Sequence, residues 1–240
     1  MPDRFYLPGS WQVGDEVSLP AAEVQHGIRV LRLSVGDELE VFNGQGQSGL
    51  SELTWEKRSE ARVRILAVQP FEPPSPLPLT VAFAPPKGDR FRFAIEKLTE
   101  LGVDRIVPLK TARSVVDPRE SKLDKLEQNI IAACKQCRRN WLPELSSLVS
   151  LPELIAKSTG NCVLYGDQHG NPLIGEFALL PVQPLVLVVG PEGGLTDEEH
   201  QLLNNSGAKA VRVGSHVLRV ETAAIALAAL AVDWSQKISG

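Results

Sequence analysis

The sequence predicts an α/β protein of two domains, a small β-barrel followed by a larger parallel-sheet domain. Three observations carry this. Prolines at 70, 73, 74, 76 and 78 remove backbone donors and fix φ, so neither a helix nor a central strand fits there. Before them, polar and apolar residues alternate with period two, the mark of half-buried strands. After them, continuous apolar runs alternate with segments of helical period, as in a sheet covered on both faces. The expected boundaries are 1–70 for the first domain, 71–78 for the linker and 79–240 for the second.

Taken in order, Ala21–Leu31 reads as one short helix. Glu38–Phe42 and Ala61–Val68 alternate, and Val35-Gly36-Asp37 and Asn43-Gly44 mark turns between short strands. Beyond the linker, Leu79–Ala84 is an unbroken apolar run. Phe91, Ile95, Leu98 and Leu101 then share one helix face, with Gly102 at the expected C-cap. Arg105–Leu109 is the next strand. Asp117-Pro118 supplies an N-cap and a first-turn proline for a helix to about Arg139, with Leu123, Leu126, Ile130, Cys134 and Cys137 inward. Cys162–Tyr165, Leu185–Val189 and Ala210–Val213 read as strands, and Glu221–Gln236 as a closing helix. There is no internal repeat.

The chain has 240 residues, long enough for a core without disulfides or metals. Its longest apolar run, Ala223–Val232, is too short to span a bilayer, and the N-terminus has no apolar signal region. Three cysteines, an odd number, fit a reducing compartment and a cytoplasmic protein. The net charge of -4 argues against a general polyanion binder. The distribution differs: residues 73–143 carry 13 Lys+Arg against 8 Asp+Glu, while both flanks are acidic. Such a segment is either a local phosphate-binding face or a pair of solvated basic helices.

Two motifs fail on context. Gly44-Gln-Gly-Gln-Ser-Gly49 has dinucleotide-loop spacing, but a strand-like segment follows where a helix is needed, so it reads as a hairpin loop. Cys134-Lys-Gln-Cys137 has no second pair, and on a helix the two cysteines share one inward face. No metal is expected. Gly190-Pro-Glu-Gly-Gly194 is more informative. It leaves a buried strand and runs into Thr196-Asp-Glu-Glu199, a capping box, which is where open α/β sheets bind ligands. It lacks the Lys-Ser/Thr of a phosphate loop, and Glu192 disfavours phosphate, so a cationic or hydroxyl-bearing ligand fits better. A plain strand-to-helix turn is the competing reading. Tyr165–Gly170 and Val213–Arg219 are further glycine-bearing loops after strands; His169 and His216 in them read as structural.

The chain resembles the RsmE-type ribosomal RNA methyltransferases of the SPOUT (trefoil-knot) class. The resemblance rests on His26–Arg32 with Gly36-Asp37, Lys87–Arg90 with Ile95–Lys97 and Glu100–Val103, Ala132–Arg139 with Pro143, Gly190–Leu195 and Leu218–Ala223. It implies an N-terminal PUA-like β-barrel, a C-terminal knotted α/β domain, S-adenosylmethionine as cofactor, a homodimer, and methylation of uridine N3 in small-subunit (16S) rRNA, free or in the assembled small ribosomal subunit. By position it implies cofactor contacts from Tyr165, Gly166, Gly190, Pro191, Glu192, Gly193, Gly194, Val213, Gly214, Val217, Leu218 and Arg219. RNA contacts fall to Arg29, Arg32, Lys87, Arg90, Lys97 and Arg139. Arg219 would stabilise a uracil anion, and Glu221 would accept a proton or orient Arg219. Three positions depart from the pattern: Lys135 for a usual Glu, His216 for a common Arg, and Val220 for Thr. Another SPOUT RNA methyltransferase (ribose 2′-O or other base), or a non-catalytic rRNA-binding assembly factor, is the alternative reading of the sequence.

Overall fold

The computed structural model describes residues 2–25, 30–57, 60–117, 120–177 and 180–239. The chain forms two compact units, Met1–Pro74 with Cys134–Leu142, and Ser75–Ala133 with Pro143–Gly240. Residues 134–142, expected with the second domain, thus group with the first unit.

The first unit holds β1 (Arg4–Tyr6), β2 (Glu16–Ser18), α1 (Ala21–Val24), β3 (Glu38–Phe42), β4 (Ser48–Lys57) and β5 (Glu60–Val68). They form one sheet in the order β1-β3-β4-β5-β2, parallel between β1 and β3 and antiparallel elsewhere. The alternation read in β5 turns Ala61, Val63 and Ile65 inward and Arg62 and Arg64 outward. With Phe5, Leu39, Val41 and Leu53 they make a common core, as a small barrel requires. The Gly44–Gly49 motif is indeed a hairpin. Asn43 Oδ1 accepts the N–H groups of Gln45 and Gln47, and Gly46 has a φ of 90°. A Cβ on Gly46 would collide with the Glu72 carbonyl oxygen, which accounts for the glycine without any ligand.

The second unit holds β6 (Leu79–Phe83), α2 (Arg90–Leu101), β7 (Arg105–Lys110), most of α3 (Glu120–Cys137), β8 (Glu144–Leu145), β9 (Val149–Ser150), α4 (Leu151–Lys157), β10 (Cys162–Pro172), α5 (Leu173–Phe177), β11 (Leu185–Val189), α6 (Asp197–Asn205), β12 (Lys209–Arg212) and α7 (Val220–Ser239). The sheet runs β12-β10-β11-β6-β7-β8, with β9 also on β7, and every pair is parallel. α7 packs on α2, β6 and β11, and Phe83 meets the Phe91 ring of α2 on that face. On the opposite face, Ala82, Val186 and Val188 pack with Leu151, Leu154 and Leu203 of α4 and α6. The sheet is therefore covered on both sides.

α2 ends as expected at Gly102, whose φ is 92°. The expected start of α3 at Pro118 lies outside the described residues, as does the Leu123 side chain. No described helix is long and apolar enough to cross a membrane.

Candidate functional site

The sheet order explains how three separate loops meet. β11, β10 and β12 are neighbours and parallel, so their carboxyl ends share one edge. The first loop lies within β10. Gly166 and Asn171 both register on Val211, so residues 167–170 bulge out of the ladder. Gly170 permits this, since a Cβ there would lie 2.5 Å from the Val211 amide nitrogen. Asp167 Oδ1 accepts the His169 N–H at 2.7 Å, and its other oxygen lies 3.7 Å from His200 Nδ1.

The second loop follows β11. The Gly194 N–H donates to the Pro191 carbonyl, and Gly194 has a φ of 71°. Thr196 and Glu199 form the expected capping box of α6. The third loop follows β12, with Gly214 at a φ of 72°. Arg212 joins the first and third loops: Nε donates to the Gly170 carbonyl and Nη1 to the Gly214 carbonyl, both at 3.1 Å.

Between the loops is a cavity of about 400 Å³. Buried Val189, Leu195, Val211, Val220 and Leu227 provide an apolar lining, and Asp167, Glu192, His169, His200, Arg212 and His216 add polar groups. Of the residues expected at a cofactor, Gly166, Gly190, Pro191, Glu192, Gly193, Gly194, Val213, Val217 and Leu218 line it. Tyr165, Gly214 and Arg219 do not. Strand alternation is the reason for Tyr165: with Gly166 on the cavity, the tyrosine side chain joins the core on the α4/α6 face and its hydroxyl meets Asn204 Oδ1 at 3.0 Å.

Arg219 is exposed between the lining residues Leu218 and Val220, and no ion pair or side-chain hydrogen bond engages its guanidinium among the described residues. Glu221, in the first turn of α7, is 6% exposed. Its neighbour is Arg90, with Nη1 3.9 Å from Glu221 Oε1 and 3.7 Å from Glu192 Oε1. Glu221 Oε2 is buried without a hydrogen-bond partner. Among the described residues, the cation beside Glu221 is Arg90, and Glu221 makes no described contact with Arg219.

The residues expected at RNA divide between the units. Arg29 lies outside the described residues. Arg32, exposed with a φ of 59°, and half-buried Arg139 belong to the first unit. Lys87 and Arg90 stand at the start of α2, where Lys87 is exposed. Lys97 bonds Glu100 at 2.8 Å and Glu96 at 2.9 Å, and these bonds raise its pKa; its charge is already matched. Cys134 is fully buried, and desolvation pushes its thiol up to about 12. No described group of His, Cys, Asp and Glu could hold a metal.

Sequence reasoning missed Arg113, Arg212 and His200. Arg113 Nη1 donates to the Gly193 carbonyl at 2.7 Å, and its stem lies 3.4 Å from where a Gly193 Cβ would stand. Only the fold brings the loop after β7 to the loop after β11. Arg212 had a faint signal, as a cation closing an apolar strand beside a glycine loop.

Comparison with known proteins points one way. A model of the RNA methyltransferase domain matches residues 73–232, and one of the RNA methyltransferase PUA domain matches 19–66. Ribosomal RNA small subunit methyltransferase E of Synechocystis sp. is 33% identical, over 86% of this chain and 69% of its own. The crystal structure of the Neisseria gonorrhoeae enzyme of that name, bound to S-adenosyl methionine, superposes with a TM-score of 0.87 at 31% identity, covering 99% of this chain and 98% of that one. A Legionella pneumophila methyltransferase in complex with the same cofactor gives 0.86 at 33% identity, again over 99% and 98%.

Proposed function

Because the chain belongs to the ribosomal RNA small subunit methyltransferase E family, we propose that it transfers a methyl group from S-adenosylmethionine to N3 of a uridine in 16S rRNA. The observation that carries the reading is the cavity built by three loops at the carboxyl ends of adjacent parallel strands. Its residues suit this cofactor. The apolar lining offers adenine a dry surface, the loop backbones offer donors and acceptors for its polar edge and the ribose, and Asp167 and Glu192 complement positive charge. S-adenosylmethionine, when bound, supplies an electrophilic methyl group on a sulfonium; the protein supplies position and electrostatics.

The reacting uridine nitrogen must lose its proton, so negative charge develops on the uracil. Arg219, exposed and unengaged between two lining residues, is suited to stabilise that charge. Glu221 is covered, which favours a supporting role over proton transfer. Exposed Arg32 and Lys87, with Arg29, Lys97 and Arg139, form the set for phosphate contacts, which fix register and leave readout to the unpaired uridine. The same reading takes the 1–70 segment as the RNA-holding PUA-like domain and 79–240 as the knotted methyltransferase domain. It makes the active form a cytoplasmic homodimer.

The test is to incubate the purified protein with methyl-labelled S-adenosylmethionine and small ribosomal subunits from a strain lacking it, then map the labelled nucleotide. Label on one uridine N3 supports the proposal. Label on a ribose 2′-hydroxyl or another base would make it a different RNA methyltransferase. A protein that binds subunits but no cofactor would be a non-catalytic assembly factor.

A further inference from the structure

Three charged groups from three elements converge beside the cavity. Arg90 opens α2, Glu192 belongs to the loop after β11, and Glu221 lies in the first turn of α7. One guanidinium nitrogen, Arg90 Nη1, lies within ion-pair distance of both carboxylates, at 3.7 Å and 3.9 Å. Arg90 Nε donates to the Lys87 carbonyl at 3.3 Å, which orients the planar head. Glu221 is covered, and its second oxygen has no partner, so Arg90 is the cation that offsets its charge. Without that cation, two carboxylates would face each other and a covered one would lack a counter-charge.

Only Glu192 of the two carboxylates reaches the cavity itself; Glu221 lies on α7 beside its lining. Glu192 lines it from the glycine loop, and Val220 and Ala223, flanking Glu221, line it from α7. The loop has little stiffness of its own, with glycines at 190, 193 and 194. Arg113 holds its backbone at Gly193, and Arg90 holds its side chain at Glu192. We propose that Arg90 is a positioning residue for the cofactor cavity, clamping the Gly190–Leu195 loop to the first turn of α7 through Glu192 and Glu221. This moves Arg90 from the RNA contacts to the cofactor side. It rests on reading the cavity as the S-adenosylmethionine site.

Calorimetric titration of the full chain with S-adenosylmethionine, and with the uncharged thioether S-adenosylhomocysteine, separates geometry from charge on the ligand. Arg90→Ala is expected to weaken both by roughly three- to tenfold, the range that two partly exposed ion pairs supply. For S-adenosylhomocysteine, Glu192→Gln should weaken binding less than Arg90→Ala and add little to it, because both cut the same link. Arg90→Lys should recover only part of the loss, since an ammonium lacks the Nε donor that fixes the guanidinium head on the Lys87 carbonyl. Affinity for small ribosomal subunits should stay within about twofold, as phosphate contacts elsewhere are intact. Thermal melting checks that each variant is folded. Unchanged cofactor affinity with weakened subunit binding would overturn the proposal and return Arg90 to the RNA contacts. Wild-type protein that binds neither cofactor would instead overturn the reading of the cavity itself.

Discussion

At the scale of single residues, one of the three departures noted in the sequence, Lys135, has physical partners. Lys135 stands where Glu is usual, and its ammonium bonds Glu23 Oε2 at 2.8 Å and lies 5.1 Å from the Phe5 ring centroid. Their side chains are only 16% and 8% exposed. A glutamate at 135 would face Glu23 with like charge. Lys135→Ala should therefore cost about 3 kcal/mol, as for a buried pair losing one member, and Lys135→Glu with Glu23→Lys should recover part of it in denaturant melts. Cys134 gives a pH signature. Its thiol pKa is raised by burial from 9.0 to about 12, so the folded protein keeps the proton that the unfolded chain releases. Its share of stability is intact below pH 9 and is lost as pH rises from 9 towards 12. Against Cys134→Ala, the wild type should lose melting temperature faster over that window. Arg219→Ala should lower turnover by about a hundredfold, with cofactor affinity little changed, if the guanidinium acts on developing charge.

At the scale of elements, legibility followed length and periodicity. Glu38–Phe42 and Leu185–Val189 were readable to the residue because five apolar or alternating positions outweigh their surroundings. β1 and β2 have three residues each and β8 and β9 two, too few for any period to register. Tyr165–Gly170 reads as a loop because it contains Gly166 and Gly170, yet it lies inside β10, where residues 167–170 form a bulge and pairing resumes on the same β12 residue. The convergence of the three loops was also beyond the sequence, since neighbouring strands are fixed by topology. Gly170 tests that bulge. A Cβ there would press on the β12 backbone, which cannot yield as a side chain tip can. Gly170→Ala should thus weaken S-adenosylmethionine binding by about tenfold or more while costing about 1–3 kcal/mol of stability, measured by titration and melting.

At the scale of the whole molecule, charge has to be read by place. The net charge is -4, and the basic stretch 73–143 is divided between the units, with residues 134–142 in the first and 75–133 in the second. Within it, Lys97 is held by two glutamates and Arg90 by two more, so fewer cations are open to phosphate than the sequence suggests. Subunit binding should therefore weaken with salt along a shallow slope, with Lys87→Ala reducing the slope by about one and Lys97→Ala changing it less. The measurement that bears most directly on the cavity is a crystal structure of the protein with S-adenosylmethionine. The cofactor is expected among the loops at 166–170, 190–195 and 213–218, with its adenine on the apolar lining and Arg90 still between Glu192 and Glu221. Cofactor bound elsewhere, or an empty cavity in crystals saturated with it, would contradict the assignment.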